Sequence, residues 1–204
     1  MGGASTGVAR QAKLVSVRIT GCDNVAPVAN VIAGPDWVAK NAAKPAVADI
    51  SISSDKSEAL NAAAEAVSNA GVLLVVDAGP GVIGSADTCK HSPAGAQRVI
   101  TVAASTSNDT PAPNETTRTG NCISLFAPGQ DVLTANRGGG TATESSAAMS
   151  SGFVAGVLAL NLETNPAATP EDLNGWLSDN ATQLALTEVP EDGTPNTLLY
   201  TSGL

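Results

Sequence analysis

Residues 141–163 read TATESSAAMSSGFVAGVLALNLE, a polar run of small residues feeding a strongly apolar one. In its second half Val154, Val157, Leu158 and Leu162 recur at helical spacing, with Ala155, Gly156 and Ala159 filling the gaps. A helix that is apolar nearly all round has no face to give to water and belongs inside a layered domain. The run before it predicts a small-residue loop at a buried helix N-terminus. There, free backbone N–H groups and the helix dipole favour an anion or an activated nucleophile. What stands at Ser145, Ser146, Ala147, Ala148 and Met149 therefore decides whether the chain does chemistry.

Upstream of this junction the pattern alternates between strands and helices. KLVSVRI at 13–19 alternates and is rich in β-branched residues, which predicts a strand followed by a turn over 21–24. A helix is expected over 29–41 with Ile32 and Trp37 on its buried side, then a strand over 45–51. Ser57 reads as an N-cap, with Glu58 in the first turn, for a helix that runs to about residue 69 and stops at Gly71. Residues 72–76 are apolar at every position and predict a central strand buried on both faces, ended by Gly79-Pro80-Gly81.

Further strands are expected over 98–103, 123–126 and 132–135, with a polar surface loop over 106–120. Beyond the apolar helix, Thr169 caps another helix opened by Pro170, and residues 196–200 predict a closing strand. The alternation implies parallel βαβ units, hence an α/β fold in a single domain over 1–204.

Composition narrows the function classes. With 204 residues, 43 % of them hydrophobic, the chain can bury one sizeable core, and 2 % aromatic content leaves that core to Ala, Val, Leu and Ile. A net charge of −9 excludes the clustered basic footprint that nucleic acid requires. No run reads as long enough for a membrane span, and MGGASTGVAR lacks the apolar centre of a secretory leader. Cys22, Cys89 and Cys122 leave at least one odd thiol, and glycosylation sequons occur at Asn108, Asn114 and Asn180.

Several ordered segments carry a resemblance: GVA at 7–9 with KLVSVRI, VIAGPDWVAKNAAKPAVADISIS at 31–53, DAG at 77–79, HSPA at 91–94, LFAPG at 125–129, FVAG at 153–156, NPAATPEDL at 165–173 and PNTLLY at 195–200. Together they resemble the subtilisin-like serine proteases (peptidase family S8), and within them the proteinase K and aqualysin branch. The resemblance implies a three-layer subtilisin-like fold with a mostly parallel central sheet, its N-terminal strands missing. It pairs Cys89 with Cys122, leaves Cys22 free or joined to a separate N-terminal fragment, and puts Ser124 where the branch has a calcium-binding aspartate. Family and disulfide together suggest a secreted protein.

Carried over residue by residue, the resemblance departs from the family's chemistry, which needs a serine nucleophile, a histidine base, an orienting aspartate and an oxyanion amide. Ala148 falls at the nucleophile, with Ser146 and Ala147 at the preceding glycine and threonine. Pro80 falls at the oxyanion asparagine, and the histidine and aspartate positions would precede residue 1. The cleft is expected to be lined by Ser53, Ser54, Asp55, Asp77, Ala78, Gly79, Glu144, Ser146 and Phe153. Asp77, after an all-apolar strand, is the candidate acid or base, with a raised pKa. His91, the single histidine, is expected to pack in a loop beside the disulfide.

Three functions follow as expectations: a pseudoprotease that binds a peptide or partner protein, a repurposed enzyme acting on a small molecule through Asp77, and a split or truncated protease fragment. No cofactor or metal, no nucleic acid and no membrane are implied. A homo-oligomer, or a loop closed over the sheet edge, is expected where the N-terminal strands are missing.

Overall fold

The computed structural model describes residues 1–23, 25–81 and 84–201. Asn24, the last residue of the predicted turn, lies outside them. The chain forms α1 (Val28–Asn41), β1 (Val47–Ile50), β2 (Ser54–Asp55), α2 (Glu58–Asn69), β3 (Leu73–Asp77), β4 (His91–Ser92), β5 (Val99–Ser105), β6 (Leu125–Pro128), β7 (Val132–Ala135), β8 (Thr141–Glu144), α3 (Ala147–Thr164), α4 (Pro170–Asn180), β9 (Thr182–Gln183) and β10 (Thr197–Leu198). The central sheet runs β1-β3-β5-β6-β10-β9 and is parallel except for the β10–β9 pair.

Strand periodicity sorts the core into two faces. Leu73, Val75, Ile100, Val102, Leu125 and Ala127 point to α3 and meet Val154, Ala155, Leu158 and Leu162. Leu74, Val76 and Val99 point the other way, to Ala64 and Val67 of α2 and Val38 of α1. The result is helices, sheet, helices: three layers, as expected. Of α3's 18 residues, 11 are buried, because small Gly152 and Gly156 let neighbouring backbone approach. A Cβ at Gly156 would lie 2.7 Å from Val8 Cβ. α3 is in fact long and apolar enough to cross a membrane by length and composition, contrary to the reading that no run reaches that length. Its burial against the sheet is that of a core helix.

Local rules hold at the helix ends. The Ser57 hydroxyl accepts the Leu60 N–H at 3.3 Å, Thr169 and Asp172 form a capping box, and Gly71 leaves α2 with φ +82°. Cys89 and Cys122 are bonded, and Cys22 is free and exposed.

Four expectations fail. Residues 13–19 form no strand. Val8 packs on α3 and Ile19 packs on Gly34 of α1, so this segment passes from one helical layer to the other around the sheet's β1 side. The outer edge of β1 has no partner strand among the described residues, and β propensity without a ladder leaves Leu14 and Val15 exposed. Trp37 is 45 % exposed because α1 buries Val31, Gly34 and Pro35 instead. The predicted surface loop 106–120 dips inward at Thr116, Thr117 and Arg118, all buried. Residues 141–144 are no loop: they pair antiparallel with β7.

The disulfide closes a 33-residue separation. Replacing both Cys89 and Cys122 by serine is expected to lower unfolding free energy by about 3–4 kcal/mol. Urea unfolding of the two proteins checks this, and coincident curves would contradict it.

Candidate functional site

At the N-terminus of α3 every described hydroxyl is already engaged. Ser146 is the N-cap and its Oγ accepts the Ala148 N–H at 3.1 Å. Ser145 Oγ accepts the Asp131 N–H at 2.9 Å. Ser150 Oγ donates to the carbonyl of Ala127 at 2.9 Å, and Ser151 Oγ to that of Ala148 at 3.1 Å. Ala148 itself is half-buried and brings only a methyl group.

His91 lies elsewhere. It sits in β4, 3 % exposed, where the β2–β4 ladder pairs it with Asp55. Its ring nitrogens face the carbonyls of Ser54 at 3.3 Å and Ser85 at 2.8 Å. No serine of the α3 junction is hydrogen-bonded to it among the described residues. His91 is thus buried in a short strand, not in the loop that was expected.

The expected cleft residues fall into two groups. Ser53 on one side and Ala78 and Gly79 on the other face each other directly: a Cβ on Gly79 would lie 2.9 Å from Ser53 Oγ. Between them runs a side chain that sequence reading missed. Arg118 Nη1 donates to Ser53 Oγ at 2.7 Å and to the Ala78 carbonyl at 3.1 Å, while its Nε donates to the Ser85 carbonyl at 3.2 Å. Ser54 and Asp55 form β2 and are exposed, and Pro80 is half-buried beside Gly79. Glu144 is exposed at the end of β8, and Phe153 is half-buried against the α3-side core.

Asp77 is 7 % exposed at the end of β3. Its pKa is raised to about 7, first by burial and then by the negative charge of Asp49, against the pull of Arg118. Asp49 was also missed. It pairs in register with Val75, so by strand periodicity it shares the α3 face with Asp77, two residues further along the neighbouring strand. Burial raises Asp49 to about 6, while a hydrogen bond from Ser151 and the α-amino group of Met1 act in the opposite direction. One buried oxygen of each carboxylate, Oδ1, has no hydrogen-bond partner.

The sequence signal for Asp49 was an acid at the same parity as Val47 in an otherwise apolar strand. Arg118 gave none, since a lone arginine among threonines reads as solvated. No group of three or more His, Cys, Asp and Glu is placed to hold a metal among the described residues.

A concavity of about 200 Å³ lies at the far end of α3, between Lys44, Gly71 and residues 166–170, and none of the expected site residues lines it.

With that geometry in place, the family model described as the subtilase family (Peptidase S8) matches residues 1–199. The chain belongs to the subtilase family. This subtilase is 39 % identical over 203 residues to the extracellular serine proteinase of Thermus sp. strain Rt41A, covering 98 % of this chain and 48 % of that protein. It is 36 % identical over 200 residues to the alkaline serine exoprotease A of Vibrio alginolyticus, covering 98 % of this chain and 36 % of that protein. The chain thus spans less than half the length of these relatives. A crystal structure of a cold adapted subtilisin-like serine proteinase superposes with a TM-score of 0.92 at 36 % identity, over 100 % of this chain and 72 % of the other.

The raised carboxylates of this subtilase have a sign-defined consequence. An acid whose folded pKa exceeds its unfolded value binds more protons in the folded state, so stability present below the unfolded value is lost as pH rises through the folded one. For Asp77 the window runs from about pH 4 to about pH 7, with a magnitude on the order of 4 kcal/mol. The stability of Asp77→Asn relative to wild type is therefore expected to increase from pH 4 to pH 8. Urea unfolding at both pH values measures it, and a difference independent of pH would contradict the burial of an ionisable carboxyl there.

Proposed function

We propose that this subtilase domain is non-hydrolytic and binds an extended peptide segment of a partner protein along β2, beside the remnant cleft. The observation that carries the reading is the engagement of every hydroxyl around Ala148 with backbone or capping partners, while His91 is turned to the carbonyls of Ser54 and Ser85. Acyl transfer of the family's kind requires a hydroxyl whose proton passes to a histidine, and no hydroxyl of the α3 junction is hydrogen-bonded to His91 among the described residues.

Peptide binding is supported by strand geometry. β2 pairs with β4 along one edge, and its other edge has no partner among the described residues. Ser54 and Asp55 are exposed there. A strand edge without a partner accepts an added strand through main-chain hydrogen bonds. A second reading, acid–base chemistry on a small molecule, has the Asp77 pKa near 7 in its favour. The burial of Asp77 beside Arg118 supports the peptide reading over it.

Screening extended peptides by fluorescence polarisation is expected to yield binders that lose affinity by about tenfold or more when the amides facing β2 are N-methylated. Binders indifferent to N-methylation, or no binders at all, would contradict the proposal.

A further inference from the structure

We propose that Arg118 is the specificity determinant of this cleft: it is an intramolecular occupant of a guanidinium site between the two walls, and it restricts the cleft to reading backbone. The inference deepens the peptide reading and rests on it for the role of the cleft, though the site itself is tested without any peptide.

Among the described residues the guanidinium is gripped from three separate segments. Ser53 Oγ supplies one wall, the Ala78 carbonyl the other, and the Ser85 carbonyl closes the end. The backbone of Arg118 is fixed as well, since its own N–H donates to the Gly79 carbonyl at 2.8 Å. The cation is 3 % exposed, and the charges acting on it, Asp77 and Asp55, are both negative. A planar fork of donors, met by acceptors from several directions in a negative field, is the chemistry that recognises guanidinium rather than ammonium.

Gly79 completes the site from below. It has φ +70°, and a Cβ there would stand 2.3 Å from Arg118 Nη1, so any larger residue would clash with the guanidinium. The walls therefore fit around the arginine side chain, and that side chain fills the space between them. A side chain from a strand added at β2 has no entry while Arg118 is in place. The cleft then discriminates among peptides by main-chain hydrogen bonds alone. Removing the Arg118 side chain leaves the acceptors of Ser53, Ala78 and Ser85 around the vacated space, in the negative field of Asp77 and Asp55.

The test is chemical rescue. Arg118→Gly, titrated with ethylguanidinium chloride at constant ionic strength and pH 8, is expected to gain a saturable rise of several degrees in Tm. Propylammonium should act at least about tenfold more weakly, and Asp77→Asn in the same background should weaken the ethylguanidinium effect by a similar factor. Wild type should show no saturable rise. No rescue of the variant, or an equal rise in wild type, would overturn the proposal, whether or not peptides bind.

Should Arg118→Gly fail to fold, hydrogen exchange on the wild-type chain decides. The Nε–H of Arg118 should exchange at least about a hundredfold more slowly than that of exposed Arg137. Equal rates would overturn the proposal.

Discussion

The seating of α3 across the parallel sheet is the contact on which the rest of the structure depends. Val154, Ala155, Leu158 and Leu162 lie against alternate residues of β3, β5 and β6, and the α3 backbone is approached closely at Gly156. This burial removes the largest continuous apolar stretch of the chain from water, and it holds the N-terminus of α3 at one end of the strands. With so few aromatic side chains, the core is made from many small contacts. Phe126 is the one aromatic side chain fully buried among the described residues. The same packing fixes Ser151 above Asp49 and Ser150 on the carbonyls of Ala127 and Pro128.

At the N-terminus of α3 the local chemistry is that of a capped helix. A serine in the cap of α3 is spent on the Ala148 N–H, and the methyl of Ala148 has nothing to transfer. Nearby, Arg118 donates to Ser53 and to the Ala78 carbonyl at once. On the α3 face, Asp77 is buried and Asp49 half-buried on the neighbouring strand, each with a buried oxygen that has no hydrogen-bond partner among the described residues.

Much of this was legible in the sequence where local rules dominate. The buried helix, the Ser57 and Thr169 caps, the all-apolar β3 and the Cys89–Cys122 pair each depend on residues close together or on a resemblance spread over the chain. The misreadings have separate causes. KLVSVRI has the composition of a strand but no ladder to join, so propensity lost to topology. Residues 141–144 looked like a loop because their partner, β7, could not be seen from their own small side chains. Asp49 became part of the site only through its register with Val75, and Arg118 only because its loop folds inward over Gly79.

On the proposed reading, residue 148 has no hydroxyl and His91 is not placed to activate one. Installing the missing hydroxyl tests it most directly. Ala148→Ser, treated with a fluorophosphonate probe at pH 8, is predicted to label no faster than wild type, because His91 remains bound to the carbonyls of Ser54 and Ser85. Rapid, stoichiometric labelling of Ala148→Ser that disappears when His91 is also replaced by alanine would contradict the account.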